Sequence, residues 1–289
     1  MSWRTVVVAT RCKLDLKMGY MVIRGEETQR IFLDEVAVLL IENPAVAMTG
    51  CLLEALVERK IKVIFCDSHR NPAAELAPYY GAHDCARKVK QQCGWTPEMK
   101  GIIWTTIISE KISNQSRILA ELGKQREALK LEEYAGEILF QDASNREGHA
   151  AKVYFNALFG KSFSREAETP INASLNYGYG IILSAFNREI VSSGYITQLG
   201  LHHENVYNKF NLSSDLMEPY RPIVDRIVAK KMPERFTKQE RYELIDLLNL
   251  PVSIAGKENT VLNSIGLYVR SIFSALETGA VDQIVFAEI

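Results

Sequence analysis

The chain has no surplus of charge of either sign: 34 Lys and Arg stand against 35 Asp and Glu in 289 residues. A near-neutral chain sets up no global field toward polyanions or lipid headgroups, so any contact with nucleic acid must come from a local patch. No C-x-x-C pair occurs among the five cysteines, at 12, 51, 66, 85 and 93, which removes zinc ribbons and dithiol redox motifs and agrees with a reducing cytosol. No apolar run reaches the roughly 18 residues of a membrane span, and MSWRTVVVAT lacks the charged start, apolar stretch and small-residue cleavage site of a secretory signal. A cytoplasmic protein is expected, with the sequons at Asn114, Asn172 and Asn211 unused. Internal repeats and low-complexity tracts are also missing. Apolar residues are plentiful, at 47% of the chain, enough for one large core or two ordinary ones.

The pattern of those apolar residues changes along the chain. RTVVVAT, GYMVIRG, QRIFLDEV and VAVLLIE are β-rich runs separated by turn residues. In TGCLLEALVER, Leu52, Leu53, Leu56 and Val57 recur at helical spacing behind a capping Thr49, before KVIFCD resumes the strands. From about Ala82 the period becomes 3.6. Ile103, Ile107, Ile108, Ile112 and Ile118 fall on one stripe, as do Ile171, Leu175, Ile182, Phe186 and Ile190. The expected fold is α+β: a small N-terminal β domain with one short helix, residues 1–78, then a larger all-α domain, residues 79–289. The Pro- and Gly-bearing CDSHRNPAAELAPYYGAHD forms the boundary.

Two near-motifs fail. LFGKSF ends like a phosphate-binding loop, but Phe155 stands where its first glycine belongs. YGYGIIL starts like a dinucleotide fingerprint, but Leu183 occupies the third glycine's place and no strand precedes it, so its small residues are expected to serve close helix packing. His69 and His83 are single residues near the boundary and are read as surface or capping histidines; His149 points away from Glu147 and is read as a surface or packing histidine.

Three stretches remain. In SNREGHAAKVYF, Ser144 and Glu147 have the spacing of a capping box, while Glu147, Ala151 and Tyr154 share one helical face, with Gly148 and Ala151 leaving room beside the carboxylate. In QLGLHHENVYNKFN, adjacent His202 and His203 cannot both face one ion from a regular element. In SSDLMEPYRPIVD, Asp215 and Glu218 again have capping-box spacing, and Pro219 suits a first helical turn. Caps alone explain the carboxylates. If the three segments meet, two carboxylates and one imidazole make a mixed oxygen and nitrogen site suited to Mg²⁺ or Mn²⁺.

SNREGHAAKVYFNALFG, INASLNYGYGIILSAFNREI and LGLHHENVYNKFNLSSDLMEPYRPIVD, in that order, resemble the CRISPR-associated adaptation integrase family, most closely the form that accompanies type II systems. The resemblance runs over essentially the whole chain, WRTVVV and VIFCD matching the family's β domain. It places the metal ligands on Glu147 of the E-G motif, His203 of L-x-H and Glu218 of D-L-M-E, with Asp215, Tyr154 and Asn176 beside them. It implies Mg²⁺ or Mn²⁺ as cofactor and a transesterification. In that reaction the 3′-hydroxyl of a short captured DNA attacks a phosphodiester at the border of a CRISPR repeat and so inserts a new spacer. It further implies a homodimer through the β domains, a small bridging partner dimer, and participation of a ring-shaped DNA-end-binding protein and the effector nuclease. The cations nearest these motifs, Arg146, Lys152, Arg221, Arg226, Lys230 and Lys231, are the candidate phosphate contacts, although Arg221 could equally pair with Asp225. The competing readings are a metal-dependent nuclease that cuts DNA or RNA hydrolytically, as in repair, and a non-catalytic helical scaffold whose carboxylates are only caps.

Overall fold

A computed structural model describes residues 4–76 and 82–289. The chain divides into two compact units, residues 1–81 and 82–289; the boundary expected between 78 and 79 falls within residues 77–81, outside the described ones.

The first unit contains β1 (Arg4–Val8), β2 (Lys13–Lys17), β3 (Tyr20–Arg24), β4 (Thr28–Phe32), β5 (Val36–Ile41), β6 (Ala47–Met48), α1 (Gly50–Glu58), β7 (Lys62–Cys66) and β8 (Pro72–Glu75). They build two four-stranded sheets, ordered β1-β5-β7-β8 and β4-β3-β2-β6. β1, β5 and β7 run parallel and β8 antiparallel. All six residues of β5 are buried, which is what an uninterrupted VAVLLI run means in a parallel sheet covered on both faces. β2 and β3 are joined by Met18 and Gly19, both with positive φ, the backbone that a two-residue hairpin turn demands. α1 begins where expected: the Thr49 hydroxyl accepts the Leu52 amide. Leu52 and Leu56 then join Leu14, Met21, Leu33, Leu39 and Val63 in the core. The strands without a sequence expectation, β2, β6 and β8, alternate charge with aliphatics, span two residues, or begin at proline.

The second unit contains α2 (Cys85–Cys93), α3 (Pro97–Glu121), α4 (Gln125–Gly136), α5 (Arg146–Phe159), α6 (Pro170–Ser192), α7 (Asn211–Leu216), α8 (Arg221–Lys231), α9 (Lys238–Asp246), β9 (Pro251–Ile254), β10 (Lys257–Thr260), α10 (Val261–Thr278) and β11 (Ala287–Glu288). α3 is the axis of this unit, packing on α4, α5, α8, α10 and the 3₁₀ turn Glu218–Tyr220. Its five stripe isoleucines are fully buried, each contributing roughly 1.5–3 kcal/mol by leaving water. α6 buries Leu175, Ile182, Phe186 and Ile190 in the same way. The glycine of YGYG does serve close packing: a Cβ on Gly178 would lie 2.5 Å from Val224 Cγ1 of α8.

This unit is not all-α. β10, β9 and β11 form a three-stranded antiparallel sheet. Val252 and Ile254 alternate with polar residues, and Ala255 and Gly256, both at positive φ, close the β9–β10 hairpin. Each strand has four residues or fewer, too short for a clear period beside long helices. The three sequon asparagines are buried, each amide bracing a loop carbonyl: Asn114 that of Pro219, Asn172 those of Ser164 and Ala167, and Asn211 those of Gln198 and Asn205. No cysteine is in a disulfide. No helix among the described residues is long and apolar enough to cross a membrane.

Candidate metal centre

Glu147 is the second residue of α5, and the start of that helix is not built as its capping-box spacing suggests. The Ser144 hydroxyl is buried and makes no hydrogen bond. Asp142 is the cap instead, one carboxylate oxygen accepting the Arg146 amide at 2.7 Å and the other the Glu147 amide at 2.9 Å. Gln141, Asp142 and Asn145 all have positive φ, and this left-handed turn carries the Asp142 carboxylate back under the helix start. The missing Cβ of Gly148 accommodates the Asn145 side chain, which a Cβ would meet at 2.7 Å, rather than opening space beside Glu147. With the cap supplied elsewhere, the Glu147 side chain is released from the backbone and lies 2.5 Å from Lys111 Nζ.

Glu218 arrives from the other side, on the 3₁₀ turn between α7 and α8. It forms no capping box with Asp215; its Oε1 accepts from Arg221 Nε at 2.9 Å, and its Oε2 lies 2.6 Å from the same Lys111 Nζ. Burial works to raise the Glu218 pKa, but the adjacent Lys111 and Arg221 charges outweigh it and hold the carboxyl at about 2. Arg221 therefore pairs with Glu218, the residue it follows, and not with Asp225. Asn114, one turn of α3 beyond Lys111, anchors the Pro219 carbonyl at 3.0 Å and so fixes the backbone that carries Glu218.

The histidines are sorted by their neighbours. Asp215, wholly buried, accepts the backbone amides of Leu201 at 2.6 Å, His202 at 3.0 Å and His203 at 3.2 Å, and also pairs with His203 Nδ1. That hydrogen bond raises the His203 pKa, against burial, and leaves Nε2 as the ring atom available to a ligand. His202 instead stacks flat on Trp104, with centroids 4.4 Å apart and planes within 1°, while His203 meets the same indole edge-on at 5.8 Å. The glycine of LGLHH is required by this loop: a Cβ on Gly200 would sit 2.5 Å from the His203 carbonyl and 2.7 Å from Asp215 Oδ2.

Tyr154 and Asn176 stand one step away. Tyr154 is fully buried with its hydroxyl near Asp225, which accepts a hydrogen bond from Tyr179. Two guanidiniums lie over the Tyr179 ring, Arg221 at 4.8 Å and Arg165 at 5.4 Å from its centroid, and Arg165 is held by Asn172 at 2.6 Å and Asn176 at 2.7 Å. Of the six cations chosen as phosphate contacts, five are engaged within the chain. Arg146 pairs with Glu137, Arg221 with Glu218, Arg226 and Lys230 with Glu121, and Lys231 with Glu240 and Glu243. Lys152 is exposed. Arg165 has no carboxylate partner among the described residues.

Lys111, Trp104, Asp142 and Arg165 carry no sequence expectation. Trp104 and Lys111 are two turns apart on α3, a spacing that puts them on one face, but one lysine among the several charged and polar residues of that helix has no local pattern that marks it as functional. Among the described residues no three His, Cys, Asp or Glu side chains are grouped closely enough to hold a metal ion, and the Lys111 ammonium is in contact with both carboxylates. The donor set nevertheless fits a hard divalent cation. Two carboxylates already converge on one positive charge. The imidazole is turned by its carboxylate partner in the manner of metal-bound histidines.

The family model described as CRISPR associated protein Cas1 matches residues 5–246 of the chain. The CRISPR-associated endonuclease Cas1 of Neisseria meningitidis serogroup C (strain 8013) is 32% identical over 277 residues, covering 94% of this chain and 91% of the relative. CRISPR-associated endonuclease Cas1 1 of Francisella tularensis subsp. novicida is 27% identical over 248 residues, 78% of each chain. Among solved structures, a casposase bound to integration product superposes with a TM-score of 0.78 at 19% identity, covering 96% of this chain and 91% of that one. A CAS1 protein from Thermotoga maritima gives 0.76 at 15% identity, covering 95% and 97%. A Cas6-RT-Cas1–Cas2 complex gives 0.72 at 18%, covering 97% of this chain and 36% of that one. At these identities the structural likenesses concern the fold.

Proposed function

The chain belongs to the CRISPR-associated Cas1 family, and from that membership and its site geometry we propose that it is a divalent-metal-dependent DNA integrase of CRISPR spacer acquisition. The reaction is a transesterification in which the 3′-hydroxyl oxygen of a captured DNA forms the new phosphodiester and the 3′-oxygen of the repeat strand leaves. The observation that carries this reading is the convergence of Glu147 and Glu218, from two separate helices, on one buried cation.

Glu147, Glu218 and His203 Nε2 would hold Mg²⁺ or Mn²⁺, which would polarise the scissile phosphate and offset the charge that grows in its transition state. Asp215 fixes the tautomer and direction of the His203 ring, and Trp104 packs on both histidines and limits the positions their loop can take. Arg221 fixes the Glu218 carboxylate. Arg165, pre-set by two asparagines and the Tyr179 ring without an acid to neutralise it, is the guanidinium best placed to take a DNA phosphate next to that pair. The surface ion pairs of Arg226, Lys230 and Lys231 are each worth only about 0–1 kcal/mol and can be exchanged for phosphate contacts at small cost. Tyr207, 91% exposed in the loop that carries His203, offers a stacking face for an unpaired base. The partners of this reading are captured DNA, repeat DNA, a second copy of the chain through the β unit and a small bridging Cas2 dimer. A ring-shaped DNA-end-binding protein and the effector nuclease complete the type II-like form.

Strand transfer tests it. A labelled duplex with free 3′-hydroxyls is offered to a supercoiled repeat-bearing plasmid with the bridging partner and Mn²⁺. Wild type should link label to plasmid covalently, while folded Glu147→Gln, His203→Ala and Glu218→Gln should not. Nicking without capture would replace the integrase by a hydrolytic nuclease, and capture by any of the three variants would remove that residue from the site.

A further inference from the structure

Lys111 is a lysine in the middle of the longest helix of its unit, 8% exposed, with its ammonium 2.5 Å from Glu147 and 2.6 Å from Glu218. A lysine head is strongly hydrated, and burying it is unfavourable unless fixed anions replace the water. Those anions are the two carboxylates assigned above as metal ligands. The dependence is mutual, since Glu218 is itself buried and the removal of Lys111 would leave two negative charges facing one another with only Arg221 to offset them. The ammonium is thus in ion-pair contact with both carboxylates at once. A divalent ion bound by the same carboxylates would need the position that the ammonium occupies.

We propose that Lys111 is the resident counter-ion of the metal centre, holding Glu147 and Glu218 together in the ion-free protein and yielding its place by exchange when a divalent cation binds. This rests on the metal-site reading of those residues. Its Cα is fixed on α3, while its four-carbon stem lets the charged head swing aside without moving the helix. Ion binding is thus a competition: the lysine stabilises the empty site and weakens the apparent affinity for the ion.

The test measures Mn²⁺ binding through loss of the free-ion EPR signal, and thermal melting in EDTA and in Mn²⁺, on the full chain without DNA. Wild type, Lys111→Met, Lys111→Arg and Glu218→Gln are compared. Lys111→Met should melt below wild type in EDTA, bind Mn²⁺ at least tenfold more tightly, and gain more melting temperature from Mn²⁺ than wild type does. Lys111→Arg, which keeps the charge, should stay within about threefold of wild type. If Lys111→Met is unfolded in EDTA, Mn²⁺ should restore its cooperative melt, and failure to do so overturns the exchange. Equal or weaker Mn²⁺ binding by a folded Lys111→Met also overturns it while leaving the metal site intact. If wild type binds no Mn²⁺ that Glu218→Gln abolishes, the metal-site reading itself falls, and this proposal with it.

Discussion

Removing the Asp215 carboxylate should have a large effect, because that group organises a whole loop. It accepts four N–H groups: the backbone amides of Leu201, His202 and His203 and the His203 ring. Hydrogen bonds to a charged acceptor contribute roughly 1.5–3 kcal/mol each, and an orphaned buried donor costs about 1–3 kcal/mol. The Leu201 amide is enclosed, whereas His202 is exposed and His203 half-exposed, so water can replace part of what their amides lose. Asp215→Ala should therefore cost about 3–5 kcal/mol, and for a unit of this size the melting temperature should fall by roughly 10 °C. Asp215→Asn is the sharper probe. It keeps the shape, but its amide NH₂ must face at least one N–H donor, and it no longer selects the Nδ1–H tautomer of His203. Stability should drop by about 2 kcal/mol and Mn²⁺ affinity by 10–100-fold, the usual cost of losing the group that orients a ligand. Guanidinium unfolding and Mn²⁺ titration of the two variants give both numbers. An Asp215→Ala variant melting within 2 °C of wild type, or an Asp215→Asn variant with full Mn²⁺ affinity, would refute the reasoning.

Three further outcomes follow from single contacts. Asp142→Ala should destabilise by about 1–2 kcal/mol through loss of the α5 cap, whereas Ser144→Ala should change stability by less than 0.5 kcal/mol in the same denaturant titration; the reverse order would restore Ser144 as the cap. Burial pushes the Asp225 carboxyl up from its ordinary 3.8 to about 6, so the native state holds the proton more tightly than the unfolded chain does. Its contribution to stability is then most favourable below pH 4, falls as pH rises to about 6 by on the order of 3 kcal/mol, and is flat above; Asp225→Asn should gain on wild type across that window, and a constant difference between pH 4 and 7 would contradict it. Arg165→Ala should weaken DNA binding at low salt more than the triple alanine variant of Arg226, Lys230 and Lys231, because only the triple removes cations that already have acids; fluorescence anisotropy ranks the two.

The sequence by itself determined the elements whose signals are local and long: the buried β5 run, α1 behind Thr49, and the isoleucine stripe of α3, all of which depend only on periods of 2 or 3.6 and on caps a few residues away. It also supplied the three segments that carry Glu147, His203 and Glu218, through motifs that need no knowledge of distance. Only the tertiary structure decided what those residues touch. Ser144 and Asp215 both have capping-box spacing, yet neither forms one: three left-handed residues hand the first cap to Asp142, and a loop folded over Asp215 takes all its acceptor capacity. Neighbours also distinguish His202 from His203, one lying flat on Trp104 and the other bound to a carboxylate twelve residues on. Five of the six cations read as a DNA surface from their clustering are paired, because acids from other parts of the chain arrive beside most of them. Lys111 is the plainest case. Its partners lie 36 and 107 residues away, and electrostatic pairing across such separations leaves no trace in local spacing.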